Sequence, residues 1–295
     1  MIALIGATGR VGRHVAERLA ATDVEVRALV RRPDAADLPA ALVAADLTDP
    51  PAVRAALAGA ERLLLITPGG PAQEQLEATA IDAATAAGVA RIVKLSGGAP
   101  TLGPNGVTPT SVGHWRSEQR IERAGLGFTF LRPSFFMQNL LETVAPLAAR
   151  GGIVVDPFAG APIAMVDARD VAACAAAALL DPAPTDQAWQ LTGPHPVTLA
   201  QIAEHLGLRR RSIQPRLVGR ALARRGADPH AVDHAVRMAA YFAAGTDGHP
   251  TDHVRRLTGA APRSIESFLD EHVDQFAPAT PLARALAHHA TKETR

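Results

Sequence analysis

The chain has 295 residues, 47% of them hydrophobic, with 30 basic and 29 acidic side chains and a formal charge of +1. That is enough apolar material for one large or two ordinary domains, while acids and bases so evenly mixed argue against a nucleic-acid footprint or a strongly membrane-attracted surface. No stretch has the length and unbroken apolarity of a membrane span, and residues 1–20 lack the charged start and cleavage site of a signal peptide. The single cysteine, Cys174, lies in the alanine run Ala172 to Ala178. It excludes an intrachain disulfide and reads as a small buried helix residue, so a reducing, cytoplasmic compartment is expected.

The first elements follow from the first thirty residues. An apolar run, Ile2 to Ile5, breaks at Gly6, and a helical stripe follows at Val11, Val15 and Leu19. Gly6, Gly9 and Gly12 stand three apart between strand and helix. Glycine there lets the backbone turn tightly, approach a pyrophosphate, and pack the helix closely on its strand. Free N–H groups near Gly9 to Val11 would then face the phosphates. The second strand, Val24 to Val30, ends in Arg31-Arg32-Pro33 with no acid at its tip. An acid there would bind a ribose 2′-hydroxyl, whereas arginine suits a 2′-phosphate, so the paired guanidinium groups of Arg31 and Arg32, with Arg10 as a third charge, favour NADPH over NADH.

Leu42 to Leu47 is a short strand, leading to Asp49-Pro50-Pro51, a cap followed by proline in a first helical turn. Asp46, at a carboxyl strand end, either meets the adenine amino group or caps the next helix. Leu63 to Ile66 is uniformly apolar, as a doubly covered parallel strand should be. It stops at Thr67-Pro68-Gly69-Gly70, a candidate wall for the cofactor's ribose. A helix over residues 72–87 ends at Gly88, and a fifth strand, Arg91 to Leu95, delivers Ser96-Gly97-Gly98. Lys94 reads as a strand-edge charge without a catalytic role. Residues 99–112 read as a long loop, His114 to Ala124 as a helix, and Gly127 to Leu131 as a sixth strand running into Arg132-Pro133-Ser134. Strands alternating with helices at this spacing predict an α/β fold, a Rossmann-type doubly wound parallel sheet.

With Gly6-x-x-Gly9-x-x-Gly12, Arg31, Ser96, His114-x-x-x-Glu118 and Leu131-Arg-Pro-Ser-Phe-Phe-Met-Gln-Asn139 in this order, the chain resembles the NmrA-like group of atypical short-chain dehydrogenases/reductases. The likeness runs over residues 1–275, including Val166-Asp167-Ala-Arg-Asp170-Val171 and Leu257-Thr-Gly-x-x-Pro262-Arg263-Ser264. That group holds NADPH-dependent quinone and triphenylmethane-dye reductases, and regulators that bind dinucleotide without known turnover. The resemblance implies a cofactor at Gly6, Thr8, Gly9, Arg10, Val11, Gly12 and Arg31, with Thr67 to Gly69 beside it. It also implies that Pro133 to Asn139 lies near the nicotinamide, where Phe135, Phe136 and Asn139 shape a substrate pocket.

Typical short-chain dehydrogenases carry Tyr-x-x-x-Lys on the helix after the fifth strand. Here the only tyrosine is Tyr241, and His114 and Glu118 hold that place. Hydride addition to a simple ketone makes a strongly basic alkoxide that needs a positioned acid, worth typically ~10²–10⁴-fold in rate. A quinone spreads the charge and an iminium is neutralised outright, so the expected substrate is a small conjugated or cationic acceptor such as a quinone, iminium or enone. His114 either delivers a proton, with Glu118 one turn on to orient the imidazole, or merely pairs with Glu118 on a helix surface. Ser96 either hydrogen-bonds a substrate oxygen or caps its loop. The alternative function is a non-catalytic, redox-sensing regulator that docks a protein partner.

The domain reading is a cofactor domain over 1–150, with 163–192 returning to the sheet, a smaller α/β substrate lobe over 151–276 that closes over the nicotinamide, and a frayed tail over 277–295. In the lobe, Pro162 to Val166 reads as a strand, Asp170 to Leu180 as a helix packed back on the sheet, and Ala188 to Leu191 as a strand. Thr198-x-x-Gln201 is a capping box, 212–218 a further strand and 227–244 a helix. Trp189, Met238, Tyr241 and Phe242 are core candidates. Arg209, Arg210, Arg211, Arg216, Arg220, Arg224 and Arg225 read as a solvated face. The histidine pairs His230/His234 and His249/His253 lack a third ligand, so no metal is expected. A homodimer is compatible with all of this.

Overall fold

The computed structural model describes residues 1–183 and 185–279. The chain forms two compact units. One comprises Met1–Pro133, Ala168–Leu191 and His253–Ala260, and the other Ser134–Asp167, Thr192–Asp252 and the described chain from Ala261. Residues 134–150, assigned to the cofactor domain by the sequence, thus fall in the second unit. The expected tail lies outside the described residues from position 280 on.

The first unit is laid down as β1 (Ile2–Ile5), α1 (Arg10–Ala20), β2 (Val26–Val30), β3 (Ala41–Ala44), α2 (Pro50–Ala56), β4 (Arg62–Leu65), α3 (Gln73–Ala86), β5 (Arg91–Leu95), α4 (Pro109–Arg123) and β6 (Gly127–Pro133). After α5 (Asn139–Thr143), α6 (Ala145–Gly151) and β7 (Ile153–Asp156) of the second unit, α7 (Ala168–Leu180) and β8 (Gln187–Leu191) return to it. The sheet runs β3-β2-β1-β4-β5-β6-β8 with every neighbour parallel. This is the doubly wound Rossmann-type α/β fold. Parallel strands need covering on both faces, and α1 and α7 pack side by side while α2, α3 and α4 form a second contiguous layer.

That covering explains the apolar strands. Leu63, Leu64 and Leu65 are all 0% exposed, and each such side chain contributes roughly 1.5–3 kcal/mol by leaving water. Leu63 and Leu65 join Ala3, Ile5, Ile92 and Phe130 in a cluster with Val53 of α2, Ile81 of α3 and Ile121 of α4. Lys94 lies two residues beyond Ile92, so it points to the same face, toward α3 and α4. Cys174, buried on α7, has its thiol pushed up to about 12, chiefly by burial and secondly by Asp170.

The second unit also contains α8 (Leu199–His205), β9 (Arg209–Ser212), α9 (Pro215–Arg224) and α10 (Pro229–Ala243). Next come α11 (His253–Thr258) of the first unit, then α12 (Ile265–Glu271) and α13 (Val273–Phe276) of the second. The Thr198/Gln201 capping box opens α8. β7 pairs parallel with β9. The core gathers Met137, Leu140, Val154, Ile202, Phe242, Phe268 and Phe276, with Met238 and Tyr241 packed against it. Beside that core Asp247 is buried, accepting a hydrogen bond from the Ser134 hydroxyl and a longer one, 3.4 Å, from Tyr241.

Four local expectations are corrected. Pro162 to Val166 makes only isolated bridges, Phe136 to Val166 and Ile163 to Val197, because a tight Met165 N–H to Ile163 carbonyl bond interrupts the extended chain. Residues 212–218 are not a strand: β9 stops at Ser212, and Pro215, which needs no amide partner in a first turn, starts α9. Helix α4 begins at Pro109, not His114, capped by the Thr108 hydroxyl, which accepts from the Ser111 amide at 3.1 Å. Trp189 is half-buried on β8, lying under the Arg256 guanidinium at 5.0 Å and beside His253.

Candidate active site

The sheet order reverses between β1 and β4, the switch point where ligands bind open parallel sheets at the carboxyl strand ends. At the tip of β1, Gly6 has φ of +82°, and a Cβ there would lie 2.4 Å from the Ile66 carbonyl oxygen. A Cβ on Gly12 would lie 2.2 Å from the Gly6 oxygen. Both positions therefore demand glycine for close packing. Gly9 differs, since a Cβ there meets only the Gly6 oxygen at 3.3 Å. Gly9 is the N-cap of α1, no side chain caps that end, and its first turn carries no acid. Helix dipole and amides there suit a pyrophosphate, so the residues fit the dinucleotide the motif implies. Thr8, Gly9 and Arg10 are exposed along the turn, and Val11 is buried beneath it.

Arg31 and Arg32 are exposed just past β2. Asp46 does not cap α2. Asp49 does, accepting from the Ala52 amide at 3.2 Å. Asp46 instead accepts from the Thr48 amide and hydroxyl at 2.8 and 2.7 Å. Those two bonds, with a smaller share from the Arg31 charge, hold its carboxyl below the usual range.

Past β4 and β5 the side chains converge. Lys94 is wholly buried in the middle of the sheet, and its ammonium donates to Glu77 Oε1 of α3 at 2.8 Å and to the Leu95 carbonyl at 3.1 Å. The Thr67 hydroxyl donates to the same Glu77 oxygen at 2.9 Å. His114 Nδ1 of α4 lies 3.0 Å from Lys94 Nζ and 3.0 Å from Gln73 Nε2 of α3. Burial alone would raise the Glu77 pKa. The Lys94 ammonium, His114 where Glu77 titrates, and hydrogen bonds from Lys94 and Ser117 outweigh it and hold the carboxyl below its ordinary value. Lys94 is thus no strand-edge charge. A lysine inside a doubly covered strand must have a buried partner, and that signal was present in Arg91-Ile-Val-Lys94-Leu95.

Glu118 does not orient His114. Both its oxygens are taken by the Arg132 guanidinium of β6, at 3.0 and 2.5 Å, a bidentate fork that suits a buried carboxylate. Ser96 extends β5 through its amide, which donates to the Leu131 carbonyl. Its hydroxyl is buried, caps no loop amide, and has no partner among the described residues. The next residue, Gly97, stands against the imidazole: a Cβ there would lie 3.4 Å from His114 Cδ2. Pro133 is the buried last residue of β6.

Phe135, Phe136 and Asn139 lie in the second unit. Phe135 packs edge-on to Phe158 and Phe242 at 5.8 and 5.4 Å, part of the core wall. Phe136 is half-buried and Asn139 opens α5. Tyr241 belongs to that unit too, its phenol pushed up to about 12 mainly by burial. Among the described residues no cluster of three or more histidine, cysteine or carboxylate side chains is placed to hold a metal, and no helix is long and apolar enough to cross a membrane.

Residues 6–182 match the NAD(P)H-binding family. Over 214 residues the chain is 36% identical to an NAD(P)H azoreductase of Xenophilus azovorans, covering 70% of this chain and 72% of that one. It is 38% identical over 216 residues to a (4-alkanoyl-5-oxo-2,5-dihydrofuran-3-yl)methyl phosphate reductase of Streptomyces griseus, covering 70% and 74%. The NADPH complex of an Escherichia coli NADPH-dependent quinone oxidoreductase superposes with a TM-score of 0.84 at 26% identity, over 92% of this chain and 99% of that one. The chain belongs to the NAD(P)H-binding, NmrA-like branch of the atypical short-chain dehydrogenases/reductases. It is an NAD(P)H-dependent reductase.

Proposed function

We propose that this protein uses NADPH to reduce small conjugated or cationic acceptors such as quinones, enones and iminium ions. The observation that carries the reading lies at the end of β5, where the buried Ser96 hydroxyl has no partner among the described residues and the next residue, Gly97, stands against the edge of the His114 ring. The tyrosine and lysine of ordinary ketone reduction are missing from α4, and the one tyrosine is held at Asp247 in the second unit. NADPH, when bound, would supply the hydride. The Gly6–Gly12 turn would hold its pyrophosphate, and Arg31 with Arg32 and Arg10 would receive the 2′-phosphate. Ser96 and His114 hydrogen-bond the acceptor oxygen as negative charge builds on it, and solvent supplies the final proton to a quinol or saturated ketone.

Two weak donors suffice where the acceptor spreads its own charge, and orientation then provides most of the rate. The furanone ring in the name of the Streptomyces relative's substrate is a conjugated alkene of this kind. The test is anaerobic NADPH oxidation against quinones, enones, cationic dyes and simple ketones. Turnover with the first three and none with ketones is expected. Ketones reduced as fast as quinones would reject the acceptor class, and tight NADPH binding without any turnover would favour the regulator.

A further inference from the structure

We infer that Lys94 and Glu77 are positioning residues that hold His114 as the neutral imidazole with its hydrogen on Nε2, making it a hydrogen-bond donor rather than an imidazolium acid. The inference deepens, and rests on, the reductase function proposed above. An ammonium has three hydrogens and no lone pair. With Lys94 Nζ 3.0 Å from His114 Nδ1, that nitrogen must offer its lone pair. Gln73 Nε2 also lies 3.0 Å from that nitrogen, whose one lone pair the ammonium already engages, so the lysine contact and not the amide sets the tautomer. The ring hydrogen therefore sits on Nε2, next to the Cδ2 that faces Gly97 beside Ser96.

The neighbouring charges agree. Glu77 Oε1 is 3.7 Å from Nδ1, beyond a hydrogen bond, and is committed to Lys94 and Thr67. Glu77 and Lys94 are both wholly buried and cancel, so the imidazole is the third, uncharged member. A second cation beside Lys94 would meet an ammonium with little water between. Glu74 of α3 pairs with Arg116, Asp82 of α3 with Arg120, and Glu118 of α4 with Arg132 of β6. The rival arrangement is a neutral lysine amine accepting from an imidazolium paired to Glu77.

In the step this serves, the acceptor carbon gains the hydride with its electron pair and the displaced π pair moves onto the acceptor oxygen. His114 Nε2–H and the Ser96 hydroxyl hydrogen-bond that oxygen, and a solvent proton completes the product. The imidazole ends as it began. Neutral imidazole as an electrophilic donor needs the tautomer set beforehand.

The test is long-range 1H–15N NMR of the full-length apoprotein labelled at its 11 histidines, with His114 identified by the signal lost in His114→Gln. At neutral pH a protonated Nε2 and bare Nδ1 are expected, and an imidazolium or an Nδ1–H tautomer would overturn the inference. Lys94→Met should release Nδ1–H into the mixture and slow quinone reduction roughly tenfold more than reduction of a cationic triarylmethane dye, whose acceptor carbon bears no oxygen. Equal slowing of both would also overturn it. The NMR readout needs no acceptor, so a failure of the reductase reading shows separately, in the turnover panel.

Discussion

In the function proposed above, the cofactor preference rests chiefly on Arg31, an exposed side chain. It stands one residue past β2, where the sheet presents the adenosine end of a dinucleotide, and its partly opposing neighbour Asp46 is already engaged by Thr48. A charge-assisted contact to a phosphate dianion, turned into a repulsion by Arg31→Asp, should raise the NADPH dissociation constant roughly 10- to 100-fold, while NADH, lacking that phosphate, changes far less. Calorimetric titration of both cofactors measures the difference, and equal losses would remove Arg31 from the 2′-phosphate. Lys94 shows the other residue-scale lesson. A fully buried ion pair is costly to desolvate, so its place beside His114 points to a task in the site rather than to stability.

Within the β1–α1 element, three glycines of one motif do different jobs. Gly12 is pressed against the Gly6–Ala7 backbone, its missing Cβ 2.2 Å from the Gly6 oxygen and 2.8 Å from Ala7 Cα, whereas a Cβ on Gly9 would meet only the Gly6 oxygen, at 3.3 Å, on the side of the expected pyrophosphate. Gly12→Ala should push α1 off the sheet and cost about 1–3 kcal/mol or more, visible as a lower melting temperature. Gly9→Ala should lower the melting temperature less than Gly12→Ala does, yet bind cofactor at least tenfold more weakly, because its methyl occupies the space the phosphates need. The reverse pattern, a destabilised Gly9→Ala with intact binding, would mean that the turn is structural only.

At the scale of the molecule the chain leaves the first unit after Pro133, comes back at Ala168 and again at His253. Asp247 ties three parts of the second unit together, through Ser134, Tyr241 and its own carbonyl on the Ala164 amide. Burial raises its pKa above 3.8, against the lowering effect of the hydrogen bonds from Ser134 and Tyr241. A folded-state carboxyl with a raised pKa adds stability that is full below 3.8 and is lost as pH climbs through the folded value. At neutral pH the buried carboxylate is therefore a burden that the whole fold carries. Asp247→Asn keeps an acceptor for Ser134 without the charge. Its melting temperature should exceed the wild type's most at pH 7–8, with the gap closing as pH falls toward 4. A gap independent of pH would show that Asp247 does not titrate on unfolding.

The sequence by itself determined the doubly wound sheet, the glycine turn with its cofactor, and five of the first unit's helices and strands nearly to the residue, among them β1, α3 and β5. Those features are local: apolar periodicity, glycine spacing and strand-end residues all fall within one βα unit. The tertiary structure alone decided the partners of the charged side chains. Glu77 meets Lys94 across 17 positions and Lys94 meets His114 across 20, while Glu118 turns from the histidine one helical turn away to an arginine on the next strand. Helix spacing makes His114 and Glu118 neighbours, but low-dielectric burial rewards whichever opposite charge the packed layers bring closest. That choice is made by how α3 and α4 lie on the sheet, which no single segment encodes.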